Sequence, residues 1–127
     1  MTSQKTIHLG EIKLSNEHRF TLVGGLNVLE NEEIALKVAD SFVTVSEKLK
    51  IPFIFKASFD KANRSSIDSF RGPGLEKGLN ILKKIKSEFN VPVLTDIHEP
   101  NQANPASKIV DILQLPAFLS RQTDLVV

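Results

Sequence analysis

Hydrophobic and polar positions along the chain follow two periods in turn. Near the amino end, residues 6–9 and 12–14 are short alternating runs with Ile7, Leu9, Ile12 and Leu14 as the apolar set, joined through Gly10-Glu11, which predicts a β-hairpin. Residues 20–23 form a compact β-type run ending in Gly24-Gly25, where glycine permits positive φ or close backbone approach. The period then lengthens. Ile34, Val38, Phe42, Val45 and Leu49 recur at 3-4 spacing behind Asn31 as N-cap, with Glu32 and Glu33 in the first turn, Lys48 and Lys50 near the end and Pro52 just beyond, which predicts a helix signposted at both ends.

A second β-type run begins at Pro52 and passes without a break into a polar loop. After Arg71-Gly-Pro-Gly74, a second helical stripe follows: Leu75, Leu79, Leu82, Ile85 and Phe89, with lysines 77, 83, 84 and 86 on the solvated face. Residues 91–95 predict a third strand, 101–108 a brief helix limited by Pro105, 109–115 a fourth strand, and 122–127 the start of another helix.

Strand, loop and helix therefore alternate, and the strands are short and unbroken as a buried parallel sheet prefers. Polar residues gather just after each strand: Asn27, Lys56 with its loop, Asp96 with His98, and Gln114. In parallel α/β architectures the carboxyl ends of the strands share one face, so these groups are expected to converge. An open doubly wound sheet and a closed barrel both satisfy the pattern. Four strands are too few to close a parallel barrel, which takes eight strands and about 250 residues.

Composition narrows the function classes. The 127 residues are 41% hydrophobic, enough for a core in one domain. Sixteen basic against fifteen acidic residues leave a formal charge of +1, without the broad basic field of a nucleic-acid binder. No apolar run approaches the roughly 18 residues of a membrane span, and the amino end lacks the apolar stretch of a secretory signal, so the expected location is the cytoplasm. The absence of cysteine closes off disulfides, thiolate nucleophiles and Cys-based zinc sites. Anion recognition must then be local, and one stretch is suited to it. Within residues 52–66, Lys56, Lys61 and Arg64, with the hydroxyls of Ser65 and Ser66, face Asp60 as the only acid. Such a field suits phosphate or carboxylate.

The phrases GGLNVLE (24–30), KASFDKANRSS (56–66), RGPGLEKG (71–78), VLTDIHEP (93–100) and QLPAFLSRQTDLV (114–126) closely resemble the 3-deoxy-D-manno-octulosonate 8-phosphate synthases, essentially from end to end. The resemblance implies a TIM (β/α)8 barrel, here the amino-terminal hairpin (1–16) and the first four βα units (17–127). It also implies an enzyme, usually a homotetramer, that condenses phosphoenolpyruvate with D-arabinose 5-phosphate and water to the eight-carbon keto-sugar phosphate and phosphate, for lipopolysaccharide synthesis. Both substrates are anions, so cations and backbone donors are wanted around two phosphates and a carboxylate.

Carried over by position, the resemblance assigns Lys56 and Lys61 to phosphoenolpyruvate and the reacting aldehyde, although a strand-end lysine is ordinarily a surface residue. Asn63, Arg64 and Ser65 match the segment receiving the sugar phosphate; without the resemblance they read as a polar turn with a helix cap. Asp96 matches a residue near the reaction centre and could equally cap the next turn. Gln114 and Ala117 match contacts to phosphoenolpyruvate. His98 reads as a packing or supporting residue rather than a base, His8 and His18 as chemically silent, and Arg121 as surface. Asn27 stands where metal-dependent members carry a cysteine ligand, so no metal and no cofactor are expected, and Asn27 counts with Lys61 and Asp96 among the catalytic candidates.

The family runs to about twice this length, and its remaining substrate contacts fall beyond Val127, so the 127 residues alone are expected to be inactive. Two alternatives stay open. One is a sister synthase, of the seven-carbon aromatic-pathway or sialic acid type. The other is a phosphate-binding remnant without catalysis.

Overall fold

The computed structural model describes residues 4–127; the first three residues of the expected 1–16 unit lie outside the described residues. Strands β1 (Ile7–Leu9) and β2 (Ile12–Leu14) pair antiparallel, Leu9 opposite Ile12, and Gly10 turns between them at φ +56°. Four strands then build a parallel sheet in chain order: β3 (Leu22–Leu26), β4 (Phe53–Ala57), β5 (Val93–Asp96) and β6 (Ile112–Gln114). Helices α1 (Glu32–Leu49), α2 (Leu75–Phe89) and α3 (Pro100–Ser107) are the crossovers, and a 3-10 turn (Ala117–Leu119) and the short α4 (Thr123–Val126) follow β6. Among the described residues no helix is long and apolar enough to cross a membrane.

The helix ends follow the expected chemistry. Asn31 Oδ1 accepts the Ile34 N–H at 2.9 Å, and Lys50 closes α1 in the left-handed region at φ 54°. Arg19 donates to the carbonyls of Leu49 and Lys50, so the loop before β3 caps the negative end of α1. In α3 Glu99 and Gln102 form a reciprocal capping box with Pro100 in the first turn.

Side chains alternate across the strands. Phe53, Phe55, Ala57 and Val93 meet Ala35, Ala39, Leu79, Leu82 and Ile85 in one core between sheet and helices. Ile54 and Leu94 are buried outside that cluster, which puts Lys56, Leu94, Asp96 and Gln114 in phase on the face away from the helices.

Several expectations need correction. The strand placed at 20–23 is Leu22–Leu26, running through both glycines, because other elements press on each: a Cβ on Gly24 would stand 2.7 Å from the Phe42 ring of α1, and one on Gly25 (φ +150°) 2.1 Å from the Lys56 carbonyl oxygen of β4. Helix α1 does not bury the stripe of Ile34, Val38, Phe42, Val45 and Leu49 as a whole. It buries Ala35, Ala39 and Ser46, leaving Ile34, Val45 and Leu49 exposed. Small residues let the helix sit close, and Phe42, at the boundary of the two stripes, stacks on Phe53 at 5.4 Å between ring centroids. The strand expected at 91–95 is Val93–Asp96, and the one expected at 109–115 shrinks to Ile112–Gln114. Ile109 and Val110 both donate to the Ala106 carbonyl and finish the turn after α3, while Asp111 brackets Val93 by accepting its N–H on Oδ2 and donating to its carbonyl, each at 2.9 Å.

Candidate active site

The parallel register fixes where the strands end. Leu26 is level with Ala57, and Asp96 with Gln114, so Asn27, Ser58, Asp96 and Gln114 leave the sheet at one edge. Two backbone bonds stitch that edge: the Leu29 N–H donates to the Ser58 carbonyl at 2.9 Å, and the Ile97 N–H to the Gln114 carbonyl at 3.1 Å.

At its centre is a buried polar run. Asp96 uses both carboxylate oxygens: Oδ1 accepts the Ser58 hydroxyl, and Oδ2 lies 2.9 Å from His98 Nε2. Ser58 Oγ in turn accepts from Lys61 Nζ at 2.8 Å. Beneath it Thr95 donates its hydroxyl to the Ala57 carbonyl at 2.8 Å, tying β5 to β4. The His98 backbone N–H donates to Gln102 Oε1 at 2.8 Å, so the start of α3 holds the histidine against Asp96. Burial pulls the Lys61 ammonium below the ordinary lysine range; the Asp96 charge opposes this and the Lys56 charge adds to it.

The loop between β4 and α2 carries the remaining cations. The Lys61 N–H donates to the Arg71 carbonyl at 2.8 Å and the Gly74 N–H to the Phe59 carbonyl at 3.0 Å, which draws the two ends of the loop together. Arg71 also grips Asp60 through two side-chain bonds, so the single acid of the stretch is committed to Arg71 rather than to Lys61 or Arg64. The guanidinium holds the Asp60 carboxyl below its ordinary value, with burial opposing. Arg64 folds back, donating from Nη1 to the Lys61 carbonyl at 2.6 Å, while its buried Nε has no partner among the described residues.

Lys56, Lys61, Asp96 and Gln114 are thus brought onto one face or its edge, with Asn27 level with Ser58 beside them. Asn63 and Ser65 lie exposed on the loop, and Ala117 opens the 3-10 turn after β6. Ser58 was not singled out in the sequence, where it sits as a small residue between Ala57 and Phe59. Strand phase was the signal available: it follows Lys56 by two positions and shares its face. At the other end of the strands a cavity of about 540 Å³, lined by Leu9, Ile12, Phe53, Pro92, Lys86 and Asp111 among others, holds none of the expected site residues.

Residues 2–127 match the family model described as the DAHP synthetase I family. The chain belongs to the DAHP synthetase I family. Its four parallel βα units are the repeating elements of that family's TIM barrel. Within the DAHP synthetase I family it is similar to proteins named 2-dehydro-3-deoxyphosphooctonate aldolase. That of Pseudomonas putida (strain GB-1) is 62% identical over 125 residues, that of Hahella chejuensis 62% over 124, and that of Shewanella amazonensis 58% over 125. In each case the match covers 98% of this chain and 44% of the relative. The chain thus spans less than half the length of these relatives.

Proposed function

We propose that this chain is the amino-terminal part of a 3-deoxy-D-manno-octulosonate 8-phosphate synthase, a hairpin over residues 1–16 followed by the first four βα units of one barrel over 17–127. The enzyme would condense phosphoenolpyruvate with D-arabinose 5-phosphate and water, joining the enol carbon to the aldehyde carbon and releasing phosphate, and would act in the cytoplasm as a homotetramer when full length. The observation that carries the reading is the polar run Lys61–Ser58–Asp96–His98 at the carboxyl edge of a parallel sheet, in a chain about 60% identical to proteins that bear the aldolase name.

In this reading Lys56 and Lys61, with Gln114 and Ala117, receive phosphoenolpyruvate, and Asn63, Arg64 and Ser65 receive the sugar phosphate. Asp96 and Asn27 border the reacting carbons, with no metal among them. Two features support these roles. Lys61 spends one of its three donor positions on Ser58 and keeps two for an anion. Asp96 is ringed by donors, which suits a carboxylate held beside an aldehyde rather than one that binds an anionic substrate.

Calorimetry of the 127-residue chain with phosphoenolpyruvate, arabinose 5-phosphate and erythrose 4-phosphate tests the proposal. Binding of phosphoenolpyruvate, with arabinose 5-phosphate preferred over the four-carbon sugar, is expected. Preference for erythrose 4-phosphate would favour a seven-carbon synthase, the specificity for which the matched family is named. Without the second half of the barrel, phosphate release by these residues is expected to be absent.

A further inference from the structure

Lys61 and Asp96 carry opposite charges at the proposed reaction centre, yet a third group stands between them. The Ser58 hydroxyl accepts from the Lys61 ammonium at 2.8 Å and gives its single proton to Asp96 Oδ1. A hydroxyl has one donor and two acceptor positions, so the direction of the run is fixed from ammonium to hydroxyl to carboxylate. Ser58 is fully buried, and the side chains of Asp96 and His98 are each 6% exposed, so water does not compete for these bonds. The serine backbone is pinned as well, by the Leu29 N–H on its carbonyl.

We propose that Ser58 is the positioning residue for Lys61: its hydroxyl passes the negative charge of Asp96 to the ammonium while keeping the two groups apart. The proposal rests on the reading of Lys61 as a substrate contact given above. A lysine in direct contact with Asp96 would turn its hydrogens into the sheet and be neutralised there. At one remove, a single N–H is committed to Ser58 and two remain for the carboxylate or phosphate of an enol-phosphate substrate. The charged groups acting on the ammonium are Asp96 from β5 and Lys56 from β4, one from each strand beside it.

The test is competitive acylation of the 127-residue chain with acetic anhydride at neutral pH, read at Lys61 by mass spectrometry, with Lys77 and Lys83 on the open face of α2 as internal standards. Only the neutral amine reacts. Ser58→Ala is expected to raise acylation of Lys61 at least about threefold, because the ammonium loses its charge-coupled acceptor. Asp96→Asn should raise it clearly in the parent chain and less in the Ser58→Ala background, where only the through-space attraction of Asp96 is left to lose. An unchanged Lys61 rate in Ser58→Ala, or an equal effect of Asp96→Asn in both backgrounds, would overturn the proposal. If Ser58→Ala does not fold by circular dichroism, Asp96→Asn alone decides, and an unchanged rate there overturns it. Protection of Lys61 by phosphoenolpyruvate in the parent chain probes the substrate assignment separately: its absence would count against that assignment and leave the Ser58 result standing.

Discussion

The Asp60 carboxylate takes both the Nε–H and an Nη2–H of Arg71, at 2.8 and 2.7 Å, across the mouth of the loop that carries Asn63, Arg64 and Ser65. A planar guanidinium fits a carboxylate in this way and an ammonium does not. Arg71→Lys should therefore loosen the loop while changing global stability little, since Arg71 is largely exposed. Limited proteolysis is expected to cut within residues 62–70 several-fold faster in the variant. An unchanged cleavage pattern would show that the two backbone bonds at the loop ends suffice without the side-chain pair.

The same pair predicts a pH dependence. The Asp60 carboxyl is held below its ordinary value of 3.8, chiefly by the Arg71 hydrogen bonds. Between 3.8 and that lower value the unfolded chain binds a proton that the folded chain does not. The stabilisation is complete above 3.8 and fades as the pH falls through the folded value. Urea midpoints of the parent chain and Asp60→Asn should differ near neutrality and draw together in acid. A gap that stays constant with pH would contradict this.

Phe59 is the hinge of core and site. It is 1% exposed, sits next to Ser58, and is approached by α2 so closely that a Cβ on Gly78 would stand 2.2 Å from its own Cβ. Phe59→Ala should cost about 3–5 kcal/mol in urea unfolding. Gly78→Ala should cost about 1–3 kcal/mol by forcing helix and ring apart, against the usual helix preference for alanine. A stabilised Gly78→Ala would mean that α2 can shift freely over Phe59.

Asn27 bears on the metal question. A cysteine there would supply one soft ligand, but among the described residues no three of His, Cys, Asp and Glu lie together as a ready site. The thermal midpoint of Asn27→Cys is expected to be unchanged by added Zn²⁺ or Mn²⁺. A rise that a chelator reverses would contradict the prediction.

The repeating βα order and the convergence of the strand ends were legible because parallel strands impose a common direction, so polar residues that follow each strand must meet. Helix α2 was legible in its main stripe, since Leu79, Leu82 and Ile85 are buried with Leu75 and Phe89 at the margins, whereas the buried Gly78 and Ile81 beside it were not singled out. Helix α1 was not, because Val38, Phe42 and Val45 at 3-4 spacing compete with a second stripe of Ala35, Ala39 and Ser46, and hydrophobicity cannot report that small residues are chosen for close approach. Gly24 and Gly25 looked like a strand end for a related reason, as the groups that crowd them, the Phe42 ring and the Lys56 carbonyl, belong to other elements. The cationic loop stood out by composition. Ser58 did not, since its importance comes from a hydrogen bond to Asp96, 38 positions away.

The central claim is that side chains from separate strand ends form one rim that holds an enol phosphate. Backbone amide shifts in ¹H–¹⁵N NMR spectra of the chain, titrated with phosphoenolpyruvate, test it most directly. The account predicts shifts grouped at Asn27, Lys56, Ser58, Lys61, Asp96, Gln114 and Ala117, with the β1–β2 hairpin and the cavity beneath it unmoved. Shifts confined to the hairpin end, or to the lysines of α2 alone, would contradict it.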